Sequence, residues 1–545
     1  MTKTTTPQEL RHRWANGLEI ALLDVREEGP YADAHPLFAI TVPVSEVEAK
    51  LPALIPRRSA PIVVYDNGEG YAERAVPRIA AMGYTDVSIL EGGLNGYARV
   101  GELYRDVNSA YKAFGELVEA IRGTPSLPPV KIRELILGQG KDDIVVLDTR
   151  RFEEYNTMSI PRGQSCPGGE LLYRVFEAAP SPDTTVVVHC AGRTRSLIGT
   201  QSLVNAGIPN KVVALRDGTI GWTLANLPSL DTGKTERVPQ PSDEAVRRAR
   251  AHATSWAEHV GVPIIQGDQL LSFVAEQDER TLYLLDVRDP SEYAEAHPAR
   301  FTSAPGGQLV QATDEWIGVR GARVVLYDTD GVRARMTATW LLQMGWDVYV
   351  FDYEATIPAY LSQPTWTPAV PSSSSDKGGI TVDDLKTLLA DKAAVIDLAR
   401  SPVYFKGHIP GAWHASGPEL VQDLQTEAIA NGTGSIVLTS SDGLVARTNI
   451  GEAHKALKSS SRNVLYLEGG TAAWIEAGEP LETGEANARW LSPPIDVYKR
   501  PYEGTGNDRE AMEAYIEWEH QLVAQLANDG VTRFHVVGNR HQNNS

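Results

Sequence analysis

Cysteine is scarce in this sequence, which holds only Cys166 and Cys190 among its 545 residues. Two cysteines cannot form a disulfide framework, and neither lies in a Cys-x-x-Cys or Cys/His pattern, so no metal site is predicted. Basic residues are also in deficit, with 51 lysines and arginines against 70 acidic residues and a formal net charge of −19. That balance argues against a protein that binds nucleic acid or anionic membranes.

Long apolar runs are absent too. No stretch approaches the ~18 residues of a membrane span, and residues 1–20 lack the apolar core of a secretory signal. We therefore expect a cytoplasmic protein with reduced thiols and no membrane contact. Hydrophobic residues make up 42% of the chain and charged residues 22%, as in ordinary globular proteins. The length predicts about three to five domains.

The chain does contain a long internal repeat. An apolar strand that ends in an aspartate occurs four times, and a second apolar strand follows each copy. From that aspartate to the end of the second strand the separation is 42 residues in three copies and 43 in the fourth. Such regularity indicates four copies of one unit. The paired positions are Asp24 and Asp66, Asp148 and Cys190, Asp286 and Asp328, and Asp397 and Ser440.

Each copy then continues with a helical stretch and a third short apolar strand, and three copies end in a turn with an aromatic residue. Near-continuous apolar strands that alternate with helices predict an α/β fold. In it, each module is a parallel sheet flanked by helices on both faces. Binding sites in such sheets lie at the carboxyl ends of the strands, where Cys190 falls.

Shifts in composition place the domain boundaries. The four modules are predicted to span 1–107, 108–232, 233–370 and 371–484, and residues 485–545 to form a helical tail. Within the tail, residues 508–528 have helical periodicity and are expected to dock on the repeats. The Ser/Gly-rich stretch 371–379 is predicted to be a flexible linker, and residues 539–545 to be disordered.

The stretch from Val186 to Ser196 carries the chemistry. Three valines form a short buried strand that runs into His189 and Cys190, and a helical pattern follows the loop. A thiol there faces loop N–H groups, the positive end of a helix dipole and the guanidinium groups of Arg193 and Arg195. All of these favour the thiolate, the reactive form of cysteine.

These features together resemble the rhodanese family of sulfurtransferases. The resemblance covers roughly 480 of the 545 residues as four tandem modules and leaves the tail unexplained. It rests on the repeated Asp-x-Arg strand and on four further motifs. They are the six-residue loop Cys190 to Arg195, the Gly-x-x-x-Trp turn at Gly218 to Trp222, the partial His-Ile-Pro-Gly-Ala signature at His408 to Ala412, and its weaker counterpart at Ile160 to Gly163.

The resemblance implies that Cys190 takes a sulfane sulfur from a donor such as thiosulfate and becomes a persulfide. The sulfur then passes to a small thiol, to cyanide or to a protein acceptor, and no cofactor is implied because the persulfide is the carrier. Arg193 and Arg195 are expected to hold the leaving anion. The other residues expected to bind substrate, through loop N–H or hydroxyl groups, are Ala191, Gly192, Thr194 and Ser196, although a plain helix N-cap fits Ser196 equally well.

The other three modules lack the nucleophile. Asp66, Asp328 and Ser440 stand at the position of Cys190 and cannot carry a persulfide, so these modules are expected to be inactive. A carboxylate at that position would itself occupy the anion site. Arg333 of the third module stands at the place of Arg195 and is interpreted as a remnant. We expect the inactive modules to frame the catalytic cleft, while a role in stability alone stays open.

The second cysteine and the histidine before the nucleophile have two interpretations each. Cys166 fits a resolving thiol, and fits a small packing side chain better. His189 fits a general base less well than a structural residue, because strand alternation points it away from the mouth of the loop and a thiolate needs no base.

Further residues near the loop receive structural or peripheral roles. Asp148 and Arg150 are expected to form an ion pair under the loop. Glu170 and Arg174 are candidates for lining the entrance. Trp222 is expected to lie in the core rather than to serve as a substrate platform.

Two other functions fit parts of the pattern. Tyrosine phosphatases also have His-Cys before an arginine-bearing loop, but they need Cys-x5-Arg, and here Ser196 occupies that position. The loop is thus one residue shorter, which suits a single sulfur atom better than a phosphate group. A non-catalytic binding or regulatory scaffold is the other alternative, because three of the four modules lack the cysteine.

Overall fold

A computed structural model describes residues 3–138, 143–358, 377–458, 462–504, 506 and 508–538. These residues contain four five-stranded sheets, and every strand pairing within them is parallel. The predicted α/β fold of four tandem modules is therefore confirmed. No helix among the described residues is long and apolar enough to cross a bilayer.

The chain divides into two compact units. One unit takes Met1–Pro7, Ala21–Val107 and Pro368–Tyr498, and so contains the first and fourth sheets. The other takes Gln8–Ile20, Asn108–Thr367 and Lys499–Ser545, and so contains the second and third sheets with the last helix. The predicted linker residues 371–376 and the predicted disordered residues 539–545 lie outside the described residues.

All four sheets have the same topology. In each, the first strand of the module lies at one edge and is followed across the sheet by the fifth, fourth, second and third strands. The strands are β1 Thr4–Thr5, β2 Ala21–Asp24, β3 Ala39–Thr41, β4 Ile62–Tyr65, β5 Val87–Leu90, β6 Ser126–Leu127, β7 Ile144–Asp148, β8 Gly163–Ser165, β9 Thr185–His189, β10 Val212–Leu215, β11 Ile264–Ile265, β12 Leu282–Asp286, β13 Thr302–Ser303, β14 Arg323–Tyr327, β15 Asp347–Phe351, β16 Gly379–Ile380, β17 Ala394–Asp397, β18 Trp413–His414, β19 Ile436–Thr439 and β20 Val464–Leu467.

Helices connect the strands and cover the sheets. They are α1 Pro7–Ala15, α2 Glu28–Asp33, α3 Val47–Leu54, α4 Tyr71–Ala81, α5 Gly93–Tyr97, α6 Ser109–Arg122, α7 Pro129–Gly138, α8 Phe152–Thr157, α9 Leu171–Ala178, α10 Thr194–Ala206, α11 Gly218–Leu224, α12 Asp243–Val260, α13 Gly267–Ala275, α14 Pro290–Glu295, α15 Gly306–Gln311, α16 Arg333–Gln343, α17 Val382–Ala390, α18 Ser401–Lys406, α19 Leu420–Asp423, α20 Glu427–Ala430, α21 Leu444–Ala456, α22 Gly470–Glu476 and α23 Arg509–Asp529.

The second module shows why its strands are apolar throughout. Val186 and Val188 of β9 pack into a core with α9, α10 and α12, whereas Val187 packs into a second core with α7 and α11. Successive side chains of a strand point to opposite faces, so a sheet covered on both faces needs apolar residues at every position. Trp222 belongs to the second core and is almost fully buried, as predicted.

A buried ion pair closes the second strand of three modules. Arg26, Arg150 and Arg288 each donate two side-chain hydrogen bonds to the aspartate two residues earlier, at 2.6–2.9 Å. The predicted Asp148–Arg150 pair is thus confirmed. The fourth module differs, because Ala399 takes the place of the arginine and burial raises the pKa of Asp397 to about 6.

Removing one partner of such a pair leaves a buried charge uncompensated. Asp286 is fully buried, and we expect Arg288→Leu to lower the free energy of unfolding by about 3–5 kcal/mol. Urea denaturation at neutral pH measures the change. The control is Arg247→Leu, which breaks an exposed pair with Glu244 and should cost at most ~1 kcal/mol. Equal losses in the two variants would contradict the account.

Candidate functional site

The Cys190 loop joins the end of β9 to the start of α10. The Cys190 sulfur accepts a hydrogen bond from the backbone N–H of Ser196 at 3.3 Å, and its thiol donates to the Ser196 hydroxyl at 3.5 Å. The Ser196 hydroxyl donates in turn to the Arg193 carbonyl at 2.8 Å. Ser196 therefore contacts the sulfur, and it lies within the first turn of α10 rather than at the N-cap, which is Arg193.

The first turn of α11 holds the outer side of the loop. The backbone N–H groups of Thr219 and Ile220 donate to the carbonyls of Cys190 and Ala191, both at 3.0 Å. Gly218 makes this approach possible: a Cβ there would lie 2.4–2.6 Å from three loop carbonyl oxygens, and its φ is +53°. The Gly-x-x-x-Trp turn thus contacts the loop through Gly218 and packs into the core through Trp222.

Arg195 is the loop arginine that acts on the thiol. Its guanidinium makes a bidentate pair with Glu154 of α8, with both N···O distances at 2.8 Å. The charge of Arg195 lowers the pKa of Cys190, as do the hydrogen bonds from Ser196. Glu154 was not predicted, although a glutamate stands six residues after the strand aspartate both here and at Glu292 of the third module.

Arg193 is held elsewhere. Its guanidinium contacts Glu116 at 2.7 Å and Asp217 at 3.1 Å, and it also pairs with Glu119. Two of these carboxylates come from α6, which precedes β6, the first strand of the second sheet. One cation faces three carboxylates, so Arg193 is placed to anchor the loop, and the structure does not bring it together with Arg195 at the sulfur.

Burial works against the thiolate. Cys190 is only 1% exposed, and this burial raises the pKa of its thiol, against Arg195, Ser196 and Arg150, which lower it. Arg195 and the Ser196 N–H favour the thiolate, as expected, but the net direction of the Cys190 pKa is upward. Desolvation penalises the charged form, and here it outweighs the neighbouring positive charge.

Residues far away in sequence pack on the loop next to Cys190. Tyr502, Met512 and Tyr515 pack with Ala191 and Ile220 in one apolar cluster over the loop. The Thr194 hydroxyl donates to the Glu519 carboxylate at 3.4 Å, so the Thr194 side chain contacts α23. Helix α23 thus docks on the second module, as the periodicity predicted. No local pattern marks these residues as neighbours of Cys190.

Helix α6 comes equally close. A Cβ at Gly115 would lie 2.3 Å from the Thr194 methyl group, so α6 and α10 touch through a glycine. This approach brings Tyr111 of α6 within electrostatic range of both Cys190 and Arg195. The site is therefore completed by elements outside the β9–α10 unit that carries the nucleophile.

A cavity of about 40 Å³ adjoins Arg195. It is mostly apolar, and the second and third modules both line it. The lining side chains include Tyr111, Leu172, Ile198, Val310, Met336 and Trp340. A space of this size holds a few water-sized groups. The third module, which has no cysteine at the aligned position, thus forms part of the wall beside the site.

Glu170 and Arg174 do not line an entrance. Arg174 donates to Glu170 at 2.8 Å, and Glu170 also accepts from Arg333 of the third module at 2.9 Å. All three side chains are buried. That prediction is wrong, and Arg333 is more than a remnant, because it also forms a bidentate pair with Glu292 that repeats the Arg195–Glu154 geometry.

The other two sequence candidates have structural surroundings. Cys166 is fully buried in the core beside Leu171 and Val175, and burial raises the pKa of its thiol. The His189 Nε2 atom lies 3.4 Å from Asp148, and burial lowers the pKa of His189 to about 4. A packing role for Cys166 and a neutral, structural His189 follow.

The aligned residues of the other modules occupy the same backbone position. In each case the side chain accepts a hydrogen bond from the N–H six residues later. Asp66 accepts from Ala72 at 3.0 Å, Asp328 from Ala334 at 2.8 Å, and Ser440 from Ala446 at 3.3 Å. Asp66 and Asp328 accept a second loop N–H as well, so a carboxylate fills the position that the sulfur holds in the second module.

The charge balance around Cys190 can be tested through its pKa. Glu154→Gln removes the anion that neutralises Arg195, so the pKa of Cys190 should fall by roughly one unit. Arg195→Gln removes the cation and should raise it. The pH dependence of Cys190 alkylation by iodoacetamide, located by peptide mass, measures both shifts. Arg216→Gln, an exposed arginine, is the control, and shifts of the same sign in the two test variants would contradict this assignment.

Comparison with known proteins supplies the family. No curated protein sequence matches the chain. A solved thiosulfate sulfurtransferase from Pseudomonas aeruginosa is similar at 47% identity, over 98% of this chain and 100% of that one, with a TM-score of 0.92. The Alr3790 protein from Anabaena sp. is 26% identical over 19% of this chain and 83% of that one, with a TM-score of 0.17. The model of the rhodanese-like domain matches four times, at residues 6–99, 132–225, 268–356 and 381–477. The chain therefore belongs to the rhodanese-like family, with four copies of the domain, and the predicted resemblance is confirmed.

Proposed function

We propose that this protein is a sulfurtransferase that moves one sulfane sulfur through a persulfide on Cys190. The observation that carries the proposal is the position of the Cys190 sulfur. It lies just before α10 and accepts a hydrogen bond from the Ser196 N–H at 3.3 Å, and the positive charge of Arg195 lowers its pKa. The similar protein from Pseudomonas aeruginosa is described as a thiosulfate sulfurtransferase, which supports thiosulfate as the donor.

The first half-reaction forms the persulfide. The ionised Cys190 sulfur attacks the outer sulfur of thiosulfate, the S–S bond of thiosulfate breaks, and sulfite leaves with the electron pair. Charge balances, because one thiolate and one dianion give one persulfide anion and one dianion. In this scheme Arg195 stabilises the charge that develops on sulfite, and the Ser196 N–H holds the persulfide.

The second half-reaction returns the free enzyme. Cyanide or a thiolate attacks the outer sulfur of the persulfide, and the Cys190 thiolate leaves. The sulfur carrier is the cysteine itself, so no separate cofactor takes part in this scheme. Arg193 serves as a positioning residue, because its side chain is held by Glu116, Glu119 and Asp217.

A small-molecule donor and a small-molecule acceptor are the partners that this scheme needs. A scaffold function accounts for the three cysteine-free modules, but not for a thiol held by a helix N-terminus and an arginine. A phosphatase function needs a cradle for a whole phosphate group. Here the Arg193 guanidinium is already engaged by three carboxylates, so it is not placed to bind phosphate.

Steady-state sulfur transfer tests the proposal. With thiosulfate and cyanide, Cys190→Ser should lower thiocyanate release by about 10³-fold or more, as expected for loss of a nucleophile. Cys166→Ala is the matched control and should stay within about twofold of the parent protein, because that thiol packs in the core. Activity that survives Cys190→Ser, or efficient Cys190-dependent hydrolysis of an aryl phosphate, would overturn the proposal.

A further inference from the structure

The C-terminal segment (residues 499–504, 506 and 508–538) lies beyond the last match to the rhodanese-like domain, which ends at residue 477. The cysteine loop carries its own N–H groups and arginine, so sulfur transfer does not by itself require this segment. It nevertheless packs on the loop through Tyr502, Met512 and Tyr515. The contact between this segment and the cysteine loop therefore needs an explanation beyond sulfur transfer itself.

The contact centres on Gly192, two residues after the nucleophile. A Cβ at Gly192 would lie 3.5 Å from Tyr515 Cε1 and 3.6 Å from Tyr502 Cδ1, so both rings are in van der Waals range of this position. The two rings meet edge to face, with centroids 5.3 Å apart. Together they form an aromatic wall against the outer face of the loop.

The wall is held in place by polar contacts. The Tyr515 hydroxyl donates to Glu519 at 3.0 Å, and the same carboxylate lies 3.4 Å from the Thr194 hydroxyl. On the other side, the Lys112 ammonium lies 5.3 Å from the centre of the Tyr515 ring. Buried polar groups that are mutually satisfied keep a fixed geometry, so the Tyr515 ring has a defined position over the loop.

The aromatic wall lies beside the residue that follows Cys190. Tyr502 belongs to the same apolar cluster as Ala191, the residue that follows Cys190. With this wall in place, Cys190 is 1% exposed. An acceptor therefore reaches a persulfide on Cys190 only where the covering groups leave room, and the two aromatic rings are among the groups that cover the loop.

We propose that Tyr502 and Tyr515 are specificity-determining residues that restrict the sulfur acceptor to small nucleophiles such as cyanide or a small thiol. The proposal rests on the sulfur-transfer function of Cys190 for its meaning. An acceptor thiol on a folded protein needs a wide approach, and the aromatic wall denies it. Specificity of this kind arises from a steric penalty against the larger acceptor.

The first test measures access to Cys190 without any sulfur chemistry. Cys190 is alkylated with iodoacetamide and with N-(1-pyrenyl)maleimide in the parent protein, Tyr502→Ala and Tyr515→Ala, and labelling is located by peptide mass. The ratio of the bulky to the small reagent's rate should rise by about tenfold or more in each alanine variant, in the range that pocket size can discriminate. Glu517→Ala, an exposed change on the same helix, should leave the ratio unchanged.

Cys166 reports on folding in the same experiment, because it is fully buried in the core. Labelling of Cys166 in an alanine variant would show unfolding, and Tyr502→Leu, which keeps an apolar side chain, then takes its place with a smaller expected rise. Tyr502→Phe keeps the ring and should keep the parent ratio. A ratio that is the same in folded alanine variants and parent would overturn the proposal.

The second test uses the reaction. The ratio of kcat/KM for a cysteine-containing peptide of about ten residues to that for cyanide should rise by about tenfold in Tyr502→Ala. If Cys190 carries no persulfide, this arm fails while the alkylation arm still gives an answer, so the two hypotheses fail separately. A parent protein that already transfers sulfur to the peptide as efficiently as to cyanide would contradict the aromatic wall.

Discussion

All four modules share one hydrogen bond at the end of the central strand. Its donor is a backbone N–H in the first turns of the helix that follows that strand. It points at the side chain six residues earlier and needs an acceptor there, because an unpaired buried donor is costly. The second module supplies a sulfur, the first and third a carboxylate, and the fourth a hydroxyl. The carboxylates of Asp66 and Asp328 each accept a second loop N–H, so the backbone donors of these loops are satisfied by the protein itself. The sulfur accepts one backbone N–H, from Ser196.

The catalytic unit is larger than the module that holds the cysteine. Helix α6 supplies the carboxylates that hold Arg193, the third module lines the cavity beside Arg195, and the C-terminal segment covers the loop. Each of these elements packs around the loop, and burial is the largest influence on the pKa of the Cys190 thiol. The positive charge of Arg195 and the N–H of Ser196 favour the thiolate, yet desolvation outweighs them. Access to the site and the reactivity of the sulfur are therefore linked.

The fold was predictable because the repeat has a constant internal spacing, and because strands buried on both faces need apolar residues throughout. Cys190 could be singled out as the candidate nucleophile because it differs from the aligned residues Asp66, Asp328 and Ser440. Glu154 was missed although it recurs as Glu292, since ion-pair partners are set by three-dimensional proximity. Arg193 shows the limit of motif reasoning: its position in the loop is that of an anion ligand, but α6 surrounds its side chain with carboxylates. Tyr502 and Tyr515 lie more than three hundred residues from the loop, and nothing local in the sequence connects them to it.

The claim that Cys190 alone carries the sulfur is tested most directly by mass. The protein is treated with thiosulfate without an acceptor, separated from excess donor, and digested under non-reducing conditions. If Cys190 carries the sulfur, we expect one additional sulfur atom on the peptide that contains Cys190, none on the peptide that contains Cys166, and loss of the added mass when cyanide is supplied. An unmodified Cys190 peptide, or a sulfur that persists in the presence of cyanide, would contradict it.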